Sequence, residues 1–140
     1  MPRVKNLAGA VAEGLVVDAS AIVELLLATT VGVAVSQRIQ RRGLHAPAHI
    51  DAEALSALGR LQRSGQLRER EVTSRLKLLS EAPIERHLLS ELILGAWRRR
   101  KNLRLVDALY VELASQLGLR LLTTDARLAA ATRVAELVDH

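Results

Sequence analysis

The sequence predicts an α/β protein in which helices cover both faces of a parallel sheet, and three observations carry that expectation. Short runs of β-formers, Leu15 to Val17 and Leu119 to Thr123 above all, alternate along the chain with stretches of helical apolar spacing. No Asn-Gly or Asp-Gly pair joins two such runs, so the connections are expected to be crossovers rather than hairpins. Apolar residues make up 49% of the chain and charged residues 25%, which supplies a core and excludes intrinsic disorder. At 140 residues one compact domain is the expected unit, burying roughly 68% of its unfolded surface.

Residues 1–14 read as a poorly ordered lead-in, because Leu7 to Ala12 is too short and too weakly apolar for a secretory core and Glu13 follows it. The folded domain is expected over 15–140. Leu15 to Val17 is a continuous β-former run, after which Ser20 stands where a helix N-cap would, with Ala21, Ile22, Leu25 and Leu26 at helical spacing. Thr29-Thr30 offers a fresh cap for a helix to about Arg42, closed by Gly43. Leu44 to Ala46 is a brief strand. Pro47 suits a helix's first turn, and Ile50, Ala54, Leu55, Ala57, Leu58 and Leu61 carry one apolar stripe to Gly65.

Arg68 to Leu79 is a further amphipathic helix that ends before Pro83, and Ile84 to His87 a weak strand. Leu88 to Trp97 is apolar enough for a largely buried helix, with Trp97 and Tyr110 both assigned to the core. A basic linker, Arg98 to Arg104, leads into a helix from Asp107 to Leu117 that Gly118 stops. Leu119 to Thr123 is a strand, Asp125 to Ala131 a short helix and Val134 to Val138 a last strand.

Composition removes several functions. Without cysteine there is no disulfide framework, thiolate zinc site or cysteine nucleophile, and a reducing cytoplasmic compartment fits. The apolar run Leu15 to Val35 is interrupted by Asp18 and Glu24, and an aspartate in mid-membrane costs about 2.5–3.5 kcal/mol, so no membrane span is expected. His45 and His49 straddle Pro47 while His87 and His140 stand apart, so the histidines are not expected to form a metal set. The net charge of +5, carried mostly by arginine, favours a partner rich in phosphates or carboxylates.

The carboxylates then decide the chemistry. In an open parallel sheet ligands bind beyond the carboxyl ends of the strands. Asp18 follows the first strand and Asp125 the fourth, although either could be no more than a cap. Asp107 lies over Val111 and Ala114 on an apolar helix face, where a carboxylate must be hydrogen-bonded, protonated or paired with a cation. In Asp51-Ala52-Glu53 the helical wheel leaves open which acid faces inward, with Asp51 nearer the apolar stripe. Two carboxylates about 4 Å apart repel by roughly 4 kcal/mol at an effective dielectric of 20, so a converging set calls for a divalent cation. All-oxygen ligation suits Mg²⁺ or Mn²⁺, and phosphodiester hydrolysis fits an acidic metal pocket on a basic protein. Arg98, Arg99, Arg100, Lys101 and Arg104 oppose the dipole of the helix they precede, and nucleic-acid phosphates would suit them.

Four segments in order carry a resemblance: Val16 to Ala21, Ala46-Pro47 through Glu53 to Leu58, Asp107 to Val111 with Leu113-Ala114, and Leu121 to Leu128. Together they resemble the PIN-domain ribonucleases, and most of all the VapC-like toxins of type II toxin–antitoxin pairs, over about Leu15 to Leu137. The resemblance implies a three-layer α/β/α fold with a parallel sheet of four or five strands and a pocket holding Mg²⁺ or Mn²⁺. It favours Glu53 over Asp51 and matches Asp18, Glu53, Asp107 and Asp125 to the family's acidic quartet. Asp18 and Asp107 would be principal ligands, Glu53 a ligand or water-orienting base, and Asp125 a ligand acting through water. Ser20, Thr123 and Thr124 would hold the carboxylates by hydrogen bonds. It further implies an RNA substrate, translation arrest, a small cognate antitoxin and a homodimer. The sequence departs at Val106, where relatives often carry an aromatic residue. A PIN-fold binding module without turnover is the alternative. A haloacid-dehalogenase phosphatase is disfavoured because Ser20 stands where its second aspartate belongs.

Overall fold

The computed structural model describes residues 13–139, so the expected lead-in lies outside the described residues except for Glu13 and Gly14. The Glu13 carbonyl accepts from Arg42 Nε at 2.7 Å, and just beyond Gly14 the Leu15 N–H donates to the Gly43 carbonyl at 2.9 Å. Five strands, β1 (Leu15–Val17), β2 (Leu44–Pro47), β3 (Ile84–His87), β4 (Arg120–Thr123) and β5 (Ala135–Leu137), form one sheet in the order β3-β2-β1-β4-β5. Every neighbouring pair is parallel.

The strand compositions follow from this order. Leu15, Val16 and Val17 are each 0% exposed, as a central parallel strand covered on both faces requires, and each such burial contributes about 1.5–3 kcal/mol. The outer strands β3 and β5 carry Glu85, Arg86 and Glu136, and charged edges discourage pairing with another chain. Pro47 falls at the end of β2 rather than in a helix's first turn. The β1–β2 register runs out at Val16↔His45, so its missing N–H leaves no gap in that ladder.

Seven helices are found among the described residues: α1 (Ala19–Leu27), α2 (Thr30–Ile39), α3 (Ile50–Arg63), α4 (Glu69–Glu81), α5 (Ile93–Arg98), α6 (Leu105–Leu117) and α7 (Ala126–Ala131). Helices α1 to α4 pack on one another, α5 packs on α6, and α6 lies across β1, β2 and β4. The apolar run 15–35 thus becomes β1 and two helices bent by 112° at their junction, and among the described residues no single helix is long and apolar enough to cross a membrane. At that junction a Cβ on Gly32 would lie 2.0 Å from the Glu24 carbonyl oxygen, so only glycine lets α2 sit this close to α1. Gly118 ends α6 at φ 66°, a left-handed conformation that glycine adopts without steric penalty.

Three expectations are corrected. The N-cap of α1 is Asp18, not Ser20: the Asp18 carboxylate accepts from Ala21 N–H, and Ser20 lies inside the helix. Leu88 to Trp97 is not one buried helix but a 3-10 turn at Leu89–Glu91 followed by α5. Its apolar residues include Leu88, Ile93, Leu94 and Trp97 at 54–69% exposure. Trp97 is therefore surface, with the Arg100 guanidinium stacked 4.3 Å from its ring centre, while Tyr110 is core at 1%.

Candidate active site

The sheet order places a switch point between β1 and β4, where the chain, having built outward through β2 and β3, returns to the other side. Ligand crevices in open α/β sheets form there. Asp18 leaves β1 and Asp125 follows β4 after Thr124, and both are helix N-caps, so the cap reading and the site reading hold together. Asp18 Oδ1 accepts from Ala21 N–H at 2.9 Å and from Ser20 Oγ at 2.6 Å, and Oδ2 accepts from Thr123 Oγ1 at 2.5 Å. Asp125 Oδ1 caps α7 through Arg127 and Leu128 N–H, leaving Oδ2 to face Arg127 Nη2 at 3.1 Å.

Ser20 and Thr123 stitch the two strand ends together. Ser20 Oγ donates to Asp18 and accepts from Thr124 N–H at 3.0 Å, and Thr123 Oγ1 accepts from Asp125 N–H at 3.0 Å. Thr124 enters this network through its main chain. Burial pushes the Asp18 carboxyl up to about 6, against the lowering effect of Ser20, Thr123 and Ala21, and the Asp125 charge adds to the rise.

Asp107 sits in the first turn of α6, buried at 8% exposure. Its Oδ2 accepts from Arg104 Nε at 3.1 Å and from Arg127 Nη2 at 3.3 Å, so Arg127 bridges Asp107 and Asp125. Glu53, on α3, accepts from Tyr110 Oη at 2.6 Å, and His49 Nε2 lies 3.3 Å from the same oxygen. Asp51 is drawn elsewhere, forming a two-point pair with Arg86 of β3 at 3.0 and 3.2 Å. A shallow groove lined by His49, Ala52, Glu53, Ser56, Arg60 and Val106 opens beside Glu53.

The four acids share one electrostatic environment. Asp107 first, then Asp125 and Glu53, hold the Arg104 guanidinium charged, while burial, Glu53 and Asp18 raise the Tyr110 phenol far above its ordinary value. No three of the four offer oxygens within 4.8 Å of one another; Arg127 bridges Asp107 and Asp125, and Arg104 pairs with Asp107. The donor set is all carboxylate, the chemistry of a hard divalent cation, and two guanidinium ions already rest against it. In donor type and in affinity for positive charge the residues fit Mg²⁺ or Mn²⁺.

Two expectations change at the basic linker and the histidines. Arg98 ends α5 and Arg99 caps it, a position the helix dipole favours, so these two do not oppose a helix. Arg99 pairs with Glu112 at 3.1 Å, whereas Arg98, Arg100 and Lys101 are exposed. The expectation that the histidines stand apart is overturned: His45 Nδ1 lies 3.0 Å from His87 Nε2. The β2–β3 register, which periodicity within one segment does not give, brings them together; His140 lies outside the described residues. Sequence reasoning also missed Arg127 and the polar role of Tyr110. An arginine in a helix's first turn opposes the dipole, and a buried tyrosine hydroxyl needs an acceptor; either signal could have pointed to them.

Fold and site define a parallel α/β protein with a group of acidic side chains at its switch point. The chain belongs to the PIN-domain family, whose match covers residues 15–134. It is VapC-like: ribonuclease VapC3 of Mycobacterium tuberculosis is 58% identical over 120 residues, 85% of this chain and 88% of that protein. Ribonuclease VapC12 of the same organism is 36% identical over 115 residues, covering 82% and 89%. The crystal structure of PAE2754 from Pyrobaculum aerophilum superposes with a TM-score of 0.67 at 30% identity, over 93% of each chain.

Proposed function

We propose that this chain is a divalent-metal-dependent endoribonuclease, the toxin of a toxin–antitoxin pair that arrests translation in the cytoplasm. The observation that carries the reading is the gathering of Asp18, Asp107 and Asp125 at the β1/β4 switch point with Arg127 bridging the last two. Names of relatives that are ribonucleases support the reaction class.

Asp18 and Asp107 would hold Mg²⁺ or Mn²⁺ directly, Asp125 through water, with Glu53 as a further ligand or as the base. When bound, the cation would lower the pKa of a water and offset charge at the phosphoryl centre. Tyr110 holds the Glu53 carboxylate where it can accept the proton of an attacking water, while His49 Nε2, 3.3 Å from the same oxygen, lies 3.2 Å from the Val106 carbonyl. Ser20 and Thr123 keep the Asp18 oxygens directed. Arg98, Arg100 and Lys101 are exposed beside α6 and suit RNA phosphates, while Arg99 is held by Glu112 and Arg104 serves Asp107.

A cognate antitoxin and a second copy of the chain are the proposed protein partners. A carboxylate pocket that already takes guanidinium groups suits an arginine presented by an antitoxin. Exposed Ile93, Trp97, Leu105 and Val106 line one apolar depression of the kind that a partner covers. The test is RNA cleavage by the purified chain with Mg²⁺ or Mn²⁺. Asp18→Asn and Asp107→Asn should fold and lose cleavage and growth inhibition, and retained cleavage in folded Asp107→Asn overturns the reading. Metal binding without any cleavage would leave a PIN-fold binding module instead.

A further inference from the structure

A second group of metal-ligand side chains lies on the sheet, well outside the acidic quartet. His45 is on β2, and Glu85 and His87 are on the edge strand β3. The parallel register pairs His45 with Glu85 and Pro47 with His87, and strand alternation puts His45, Glu85 and His87 on one face. Arg86, between the two, turns to the other face and is anchored there by Asp51 and by the Leu79 and Ala82 carbonyl oxygens.

One ligand atom from each of the three lies within 4.8 Å of the other two. His45 Nδ1 is 3.0 Å from His87 Nε2 and 3.2 Å from Glu85 Oε2. Ligands held at about 2.0–2.2 Å around a four-coordinate ion are separated by roughly 3.3 Å, so both separations from His45 match a coordination shell and the third lies within 4.8 Å. The arrangement is poor as a hydrogen-bonded triad, since a single N–H on His45 Nδ1 cannot point at both neighbours. The position of the His45 ring is set from behind: a Cβ on Gly14 would lie 3.3 Å from its Nε2, so the glycine leaves the ring its place. The ring planes are tilted by 40° with centroids 5.2 Å apart, so the contact is edge to edge through nitrogen rather than a stack.

We propose that His45, Glu85 and His87 form a second metal site, selective for an imidazole-binding divalent ion of the Zn²⁺ type and distinct from the all-carboxylate pocket. Two imidazoles and one carboxylate suit Zn²⁺, Co²⁺ or Ni²⁺, whereas Mg²⁺ takes oxygen donors. With Glu85 exposed, the fourth position is open to water. Occupancy would clip the edge strand β3 to β2 and stabilise the folded chain by mass action.

The test titrates Zn²⁺ into the untagged, metal-stripped full-length chain by calorimetry, with Co²⁺ as a spectroscopic probe. One equivalent should bind, Co²⁺ should give the visible absorption of a four-coordinate site, and Zn²⁺ should raise the melting temperature. Since losing even a residue that merely orients a ligand costs 10–100-fold in metal affinity, His87→Gln and His45→Ala should each weaken Zn²⁺ binding by at least about 100-fold. Circular dichroism checks that they remain folded, and Glu85→Gln, an exposed change that leaves the fold alone, supplies a third variant. Asp107→Asn should leave the Co²⁺ spectrum unchanged, which separates this site from the acidic pocket whatever becomes of the nuclease reading. Absence of Zn²⁺ binding in the unaltered chain, binding indifferent to all three substitutions, or loss of the Co²⁺ band in Asp107→Asn would each overturn the proposal.

Discussion

Tyr110 Oη donates a 2.6 Å hydrogen bond to Glu53 Oε1, joining α6 to α3 across 57 positions of sequence. This bond, with His49 on the same oxygen, separates Glu53 from its neighbour Asp51, which turns to Arg86. Tyr110→Phe keeps the buried ring and removes only the bond. Glu53 is part-exposed and can take water in exchange, so the expected loss of stability is about 1 kcal/mol. Cleavage should fall about 10-fold or more, the range found when a group that orients a site residue is removed. Denaturant melts and single-turnover cleavage read the two effects separately.

Asp18 carries a pH dependence with an unusual sign for a carboxylate. Its folded-state value of about 6 lies above the ordinary 3.8, so ionising it costs the folded chain about 3 kcal/mol, fully present above pH 6 and relieved as the pH falls toward 3.8. In EDTA near neutral pH, Asp18→Asn should melt higher than the unaltered chain by about 1–2 kcal/mol, after about 1 kcal/mol is subtracted for a weakened hydrogen-bond set. The advantage should shrink as the pH falls, reach zero near about pH 4.5 and reverse below it, where the hydrogen-bond loss of about 1 kcal/mol stands alone. A variant that melts lower at neutral pH would show that the hydrogen bonds of Ser20 and Thr123 outweigh the burial of the charge.

Arg127 bridges Asp107 and Asp125, two of the proposed cation ligands, and its side chain is 56% exposed. Exposed ion pairs contribute about 0.2–1 kcal/mol each, so Arg127→Ala should tighten Mn²⁺ binding about two- to fivefold rather than weaken it. Calorimetry on the full chain measures this directly. Weaker binding would mean that the arginine organises the pocket instead of competing for it.

Gly32 permits the contact between α1 and α2. A methyl group there would meet the Glu24 carbonyl at 2.0 Å, and backbone on both sides has little room to yield. Gly32→Ala should cost at least about 1–3 kcal/mol, which thermal melting would detect. Glycine's lower helix propensity makes the opposite sign the expectation for an unpacked position, so an unchanged or higher melting point would refute the close approach.

Local patterns revealed much of this architecture. Runs of β-formers mark β1 and β4 as strands, and the sheet order makes both of them inner strands, with Leu15, Val16, Val17, Leu121 and Leu122 fully buried. Asp18 and Asp125 are legible as strand-end acids because one directly follows β1 and the other follows β4 by one residue, at the edge where ligands bind in open parallel sheets. Trp97 was misjudged because helical spacing records which face is apolar, not whether anything covers it, and the face of α5 lies open. Ser20 is not the cap because a serine and an aspartate two residues apart are both good caps, and the start of α1 at Ala19 with Ala21 N–H on the Asp18 carboxylate decides between them.

By itself the sequence determined the alternation of strands and helices, the absence of thiol chemistry, and the two acids that follow the central strands, since each of these depends on side-chain type at short spacing. Only the tertiary structure decided that Glu53 rather than Asp51 joins Tyr110, that Arg127 spans Asp107 and Asp125, and that His45 meets His87. Those pairings are set by strand register and helix packing between segments 20 to 57 residues apart, and no local periodicity encodes the relative placement of elements so far separated along the chain.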